Sequence, residues 1–446
     1  MDTYYYFDAR ISATACRQMD NATVKKLWKS VCLGDGVLSM EPTDEYIFRL
    51  GETAPPQLPP EAEYAFRIDE GGIFLVGRDY GGLMRGFFSL LLKIEYESTG
   101  FKLRCGSEEG RYRVKNRMLH ICIFPENDLL FIQKLIRYSA LCQYTHIVIE
   151  FWGMLRYDCL KELAWPNAFT KEEVSSLIRE CRDLGIEPIP MFNQLGHAAA
   201  SRACYGKNVL LDQNPHLFHL LTPDGWVWNI QSRETEALLK SVRAELYELF
   251  GKGEYMHIGC DEADYITHNP ALRQQLPAYL ARLTTAVEKE GRRPMMWMDM
   301  LLEQGRFESC FASSNAEEAP ALRRCVADST VFVDWQYECR TAPIPSLVFL
   351  QSSGHDCIGA PWFNPSNYAA HIDTVAENAL FGIMLTTWDA LKIHMHSILD
   401  CAEKCGAHLF PWNAGSLTKA ATVLRLVSFK KNAYPDCGWA KKQIEV

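Results

Sequence analysis

Two carboxylates stand side by side at Asp261 and Glu262, directly after the run Tyr255-Met256-His257-Ile258-Gly259-Cys260. Such a pair can do acid–base work when both side chains face one ligand, one carrying a proton while the other carries charge. An Asp-Glu dipeptide by itself more often lies on a solvated face, so its surroundings decide. Here it follows an apolar, strand-like stretch that ends in a glycine. Strand alternation sends consecutive side chains to opposite faces, so both groups can face a ligand only if the chain bends. Gly259 permits that bend.

The elements that would hold this pair form a regular series. From about Arg117 the chain alternates strand and helix. The strand candidates are MLHICIF, THIVIEF, EPIPMF, EYMHIGC, PMMWMDM, STVFVDW, DCIGAPW and LFGIMLTTW, with amphipathic stretches such as KEEVSSLIRECRDLG and RETEALLKSVRAELYELFG between them. Near-continuous apolar strands alternating with such helices imply a parallel sheet covered by helices. Eight strands over roughly three hundred residues fit a closed (β/α)₈ TIM barrel of the α/β class, typically about 250 residues long. An open doubly wound sheet would want a Gly-rich phosphate turn after its first strand, and Phe124-Pro125-Glu126-Asn127 is not one.

The first hundred residues differ. YAFRI, a turn at Asp69–Gly72, IFLVG and the apolar helix GLMRGFFSLLLKI read as a two-layer α+β module, preceded by the Pro-rich loop TAPPQLPPEAE. The expected organisation is an accessory domain over 1–110 and a barrel over 111–446.

In a barrel of this type, reactive groups sit where strands end. Those positions hold Glu150 and Trp152; Asn193, Gln194 and His197; Asp261 and Glu262; Trp297 and Asp299; Trp335 and Tyr337; Trp362 and Asn364; Trp388 and Asp389. Any single Trp more often packs a core. Recurrence at one topological position argues for a ligand-facing wall, and aromatic walls suit sugars, whose C–H faces are apolar while their hydroxyls need hydrogen bonds.

Bulk properties narrow the field. A formal charge of −9 with no long basic block works against nucleic-acid binding. Apolar runs such as Leu90–Leu92 fall far short of a membrane span. The start, MDTYYYFDARISATACRQMD, lacks a basic segment followed by an apolar one, so no signal peptide is expected. The sixteen cysteines are scattered, without a Cys-x-x-Cys or a zinc-ligand spacing, which fits reduced, mostly buried thiols in a cytoplasmic protein. No metal, nucleotide or other cofactor is called for, and assembly into oligomers stays open.

The segment His257-x-Gly259-x-Asp261-Glu262 resembles the fourth-strand motif of glycoside hydrolase family 20, the β-N-acetylhexosaminidases. Ile189-Pro190-Met191-Phe192-Asn193-Gln194-Leu195-Gly196-His197 is similar to that family's third-strand Pro…Gly-His run. Trp297, Trp335 and Trp388 fall where the family has tryptophans after strands five, six and eight, and the first hundred residues look like its accessory domain. The resemblance spans nearly the whole chain. It implies an exo-acting, retaining hydrolase of N-acetylated oligosaccharides or glycoconjugates that uses the substrate's own 2-acetamido group, an exception to the two-carboxylate scheme. Glu262 would then be acid and base, and Asp261 would orient the acetamido group. Tyr337 is the first candidate to donate to the acetamido oxygen and Tyr368 the second. His197 would support the acid, and the tryptophans would enclose the sugar.

Two departures from the family pattern stand out. The first-strand arginine slot holds Lys115, a point charge that cannot reproduce an arginine's two directed hydrogen bonds, so either Arg117 or a loop residue is expected to hold the sugar's outer hydroxyls. The carboxylates usual after strand two are replaced around Glu150-Phe151-Trp152. They leave room for a non-catalytic sugar-binding protein on the same barrel. A barrel hydrolase with ordinary paired carboxylates, acting on sugars without an acetamido group, is the third reading.

Overall fold

The computed structural model describes residues 2–8, 10–32, 36–41, 43–97, 100–198, 214–307, 314–388 and 391–407. Eight parallel strands close into a barrel in chain order: Asn116–Cys122, His146–Glu150, Glu187–Met191, Tyr255–His257, Arg293–Trp297, Val331–Asp334, Cys357–Gly359 and Gly382–Leu385. Closure is made by the last strand pairing with the first, Met118 opposite Met384. Each strand overlaps one of the eight apolar runs, and the expected TIM barrel is the fold the chain adopts. The runs are apolar on both faces because one face fills the barrel interior and the other lies under helices.

The helices follow the local rules that set their ends. Lys171–Asp183 opens on a capping box. Glu173 N–H donates to Thr170 Oγ1 at 3.3 Å, and Thr170 N–H donates to the Glu173 carboxylate at 2.8 Å. Its buried Val174, Leu177, Ile178 and Cys181 recur at helical spacing and face the barrel. Arg233–Phe250 opens on Ser232 and stops at Gly251, whose φ is 64°. That conformation suits a residue without a side chain.

Before the barrel, Tyr64–Asp69 and Gly72–Gly77 form the expected hairpin, followed by the helix Tyr80–Lys93. The structure adds elements there. A six-stranded sheet runs in the order Val37–Glu41, Ser12–Cys16, Ile47–Gly51, Gly72–Gly77, Tyr64–Asp69, Gly106–Glu109, and a three-stranded sheet joins Tyr4–Phe7, Gly100–Arg104 and Glu95–Glu97. Among the described residues thirteen cysteines are free thiols, nine of them buried, and no helix is long and apolar enough to cross a membrane.

Arg117 joins the two parts. It lies one residue into the first barrel strand and is 1% exposed, and its guanidinium meets both oxygens of Glu63, at 3.0 Å each. It also donates to the carbonyls of Val114, Lys115 and Gln143. Its guanidinium stacks 3.5 Å from the centre of the Tyr112 ring, a cation–π contact. Burial works against the Glu63 charge, but Arg117 and Arg85 together hold its pKa below the ordinary carboxylate value. Removing one partner of such a pair strands the other. Arg117→Ala should therefore lower unfolding free energy by about 3–5 kcal/mol, read from urea denaturation. A loss no larger than that of an exposed surface arginine would show that the pair is not a structural tie.

Candidate active site

The fourth strand stops at His257, and the chain then leaves strand geometry at once. Gly259, Cys260 and Glu262 all take left-handed φ values, 65°, 77° and 46°. Left-handed backbone at a non-glycine costs about 1–3 kcal/mol and persists only where surroundings impose it. They do so here. His257 Nδ1 accepts the Gly259 N–H at 3.1 Å. Burial, followed by the charge of His120, holds the His257 pKa well below its usual value, so the ring is a neutral acceptor. A Cβ on Gly259 would come within 1.8 Å of Asn193 Oδ1, and one on Gly196 within 1.8 Å of the Asp261 carbonyl oxygen. The glycines of both motifs are thus steric requirements of one turn.

That turn delivers both carboxylates to one side. His197 Nε2 lies 3.2 Å from Asp261 Oδ2 and 3.1 Å from Glu262 Oε2. Asp261 is only 12% exposed at its side chain, Glu262 32%. Asp261 Oδ1 is buried and bonded to no other protein atom among the described residues. His197 is held edge-on by Trp152 and packs against the tilted ring of Trp226, whose centre lies 4.3 Å away.

All seven candidate site residues (Asp261, Glu262, His197, Trp297, Trp335, Tyr337 and Trp388) line one cavity of about 390 Å³. This is within the ~300–1,000 Å³ usual for small-molecule sites. Trp152, Asn193 and Trp362 complete the described wall, which contains no Lys or Arg. Trp297 forms the fully buried floor, 5.8 Å from Trp388 and 4.5 Å from His257 between ring centres. Tyr337 lies between Trp335 and Trp362, and its hydroxyl oxygen accepts from Trp388 Nε1 at 2.7 Å. Burial raises the Tyr337 pKa, so the phenol keeps its proton and remains a donor.

Several expectations are corrected. Tyr368 does not reach the cavity. It is buried, and its hydroxyl is bound to Asp400. Lys115 and Arg117 stand at the wrong end of the barrel. Arg117 is the second residue of the first strand and Cys122 its last. At the usual rise of a strand the two are separated by roughly 16 Å. Lys115 faces a separate cavity beside Glu63, Arg85 and His146. Neither can hold a sugar at the mouth. Glu150 is buried beneath the site, where it accepts from Asn193 Nδ2 at 2.7 Å and meets His120 Nε2 at 3.0 Å. Gln194 turns away to Arg243, and Asn364 caps a helix. Asp389 lies outside the described residues.

Two contributors were given no role by the sequence: Asp299, named there only as a strand-end position, and Trp226, not named at all. Asp299, buried at the fifth strand's end, accepts the Glu262 N–H through Oδ2 at 2.8 Å and the Trp335 indole N–H through Oδ1 at 3.3 Å. Burial, then the charge of Asp261 and also that of Glu262, raises its pKa well above the usual value in spite of those donors. Trp226 donates from Nε1 to the Glu262 carbonyl oxygen at 2.8 Å. Its only signal is an aromatic residue in the turn Thr222-Pro223-Asp224-Gly225-Trp226.

Comparison with known proteins agrees with this fold. Residues 150–320 match the model of the glycosyl hydrolase family 20 catalytic domain. Among solved structures, the chain is similar to the exo β-N-acetylglucosaminidase of Vibrio harveyi in complex with N-acetylglucosamine, at 16% identity and a TM-score of 0.70 over 96% of this chain and 76% of that one. It is similar to the β-N-acetylhexosaminidase of Bacteroides fragilis at 16% identity, TM-score 0.67, over 95% and 92%. It is also similar to that of Streptomyces coelicolor at 15%, TM-score 0.66, over 97% and 94%. At these identities the structures speak for a shared fold.

The turn makes its own prediction. Gly259→Ala should destabilise the fold by about 1–3 kcal/mol through its φ alone, with a further cost from the contact on Asn193, and should remove most activity. Thermal unfolding alongside an activity assay checks this. A variant as stable and active as the parent would show that the turn tolerates a side chain.

Proposed function

We propose that this chain is a glycoside hydrolase of family 20 and, within it, a retaining exo-β-N-acetylhexosaminidase. It removes terminal N-acetylglucosamine or N-acetylgalactosamine from glycans through the substrate's own acetamido group. The observation that carries the reading is His197 Nε2 within 3.2 Å of both Asp261 and Glu262 in an aromatic cavity that also holds a protonated phenol. Glu262, the more exposed carboxyl, protonates the glycosidic oxygen as the bond to the anomeric carbon breaks. The acetamido oxygen attacks that carbon from the opposite face and closes a five-membered ring. Asp261 Oδ1 accepts the acetamido N–H and stabilises the positive charge on nitrogen, and Tyr337 donates to the acetamido oxygen. Glu262, now ionised, takes a proton from water as the water opens the ring, and two inversions leave the configuration retained.

The tryptophans enclose the ring and exclude water, which strengthens each charge interaction inside. No cofactor takes part. The reduced thiols support a cytoplasmic setting as part of the same proposal.

Glu262→Gln tests the acid role. Turnover of substrates with basic leaving groups should fall about 10²–10⁴-fold, with a much smaller loss for leaving groups that depart unprotonated and little change in KM. An equal loss for both kinds would count against it. The nucleophile is tested separately. A thiazoline analogue of the N-acetyl sugar mimics the cyclised intermediate and should compete roughly 10²-fold or more tightly than substrate. Inhibition no better than that by the free sugar would remove the acetamido group from the mechanism.

A further inference from the structure

The main chain of Glu262 is gripped at both of its polar atoms. Asp299 Oδ2 accepts its N–H and Trp226 Nε1 donates to its carbonyl oxygen, each at 2.8 Å. The two side chains arrive from different places, one from the end of the fifth strand and one from the turn bounded by Leu221 and Trp228. Neither is among the residues lining the cavity. Each also touches another part of the site: Asp299 holds the Trp335 indole, and Trp226 packs against the His197 ring. The residue they grip has a φ of 46°, a conformation that a free chain abandons readily. Any relaxation there turns the Cα–Cβ bond and swings the carboxyl.

We propose that Asp299 and Trp226 form a main-chain clamp that aims the Glu262 carboxyl at the leaving-group oxygen. They are positioning residues that act through the acid without touching substrate. The inference rests on Glu262 being the acid. Because burial holds Asp299 toward its neutral form, Asp299→Asn tests hydrogen-bond geometry more than charge. The two donors sit on different oxygens of Asp299, so in Asn the amide NH₂ must confront one of them. Trp226→Phe deletes the indole N–H while keeping a ring on His197.

The experiment measures kcat and KM for aryl 2-acetamido glycosides whose leaving groups span a wide range of acidity. For the most basic leaving group each variant should lose about 10–100-fold in kcat, as misaimed catalytic groups do, with KM changed less than about 3-fold. For the most acidic the loss in kcat should stay within about 3-fold, because little proton transfer is then needed. On a Glu262→Gln background, with a leaving group of intermediate acidity, either clamp substitution should add less than about 2-fold, since groups acting as one unit are not additive. Equal losses across leaving groups, a raised KM with kcat intact, or fully multiplicative losses on that background would each overturn the clamp. If Glu262→Gln shows leaving-group dependence and the clamp variants do not, the clamp alone fails. If Glu262→Gln shows none, the acid assignment fails and takes the clamp with it. Should Asp299→Asn not fold, Trp226→Phe leaves the buried carboxyl intact and carries the same comparison.

Discussion

Adjacent carboxylates can address one ligand only if the main chain turns between them, and in this protein the turn from Gly259 to Glu262 imposes most of what surrounds it. Its left-handed residues are intrinsically unfavourable. They persist because the third strand's end supplies Asn193 and Gly196, the fourth supplies His257, the fifth supplies Asp299 and the turn before Trp228 supplies Trp226. No single strand or helix could provide that set. The barrel matters to the chemistry because it converges several strand ends on one point, and parallel hydrogen bonding fixes each end relative to its neighbours.

Much of this was legible in the sequence, for reasons that also set the limits. Strands buried on both faces read as unbroken apolar runs, so EPIPMF and EYMHIGC announced themselves. The Asp261–Glu262 pair stood out because a glycine preceded it at a strand end. Strands such as Val37–Glu41, only partly buried at a sheet edge, lack the alternation that betrays a strand. Asp299 and Trp226 escaped as partners of Glu262 because they bond to its N–H and C=O. Every residue but proline has both atoms, so the sequence holds no trace of which side chain will bind them.

The error over Lys115 and Arg117 has a different origin. Polar and charged residues flank both ends of a barrel strand, and composition does not say which end faces a ligand. Direction does. Arg117 is the second residue of the first strand and Cys122 ends it beneath the mouth, so the arginine lies at the face that reads as stability. A fully buried guanidinium needs a permanent counter-charge, and Glu63 provides one from the segment before the barrel. A residue so committed has no free donors to offer a substrate.

The described wall, which holds no Lys or Arg, also bears on the electrostatics of the proposed reaction. Positive charge develops at the anomeric carbon and the acetamido nitrogen as the glycosidic bond breaks. A guanidinium fixed nearby would oppose that charge in a medium where screening is weak. The described wall instead offers the negative faces of indole rings and the carboxylates of Asp261 and Glu262, all of which favour a cation. A third ionised carboxylate at Asp299 would bring further anionic repulsion into the same small volume. Burial drives Asp299 toward its protonated form. The group can thus hold the Glu262 main chain as a polar acceptor without adding a full charge to the pair it supports.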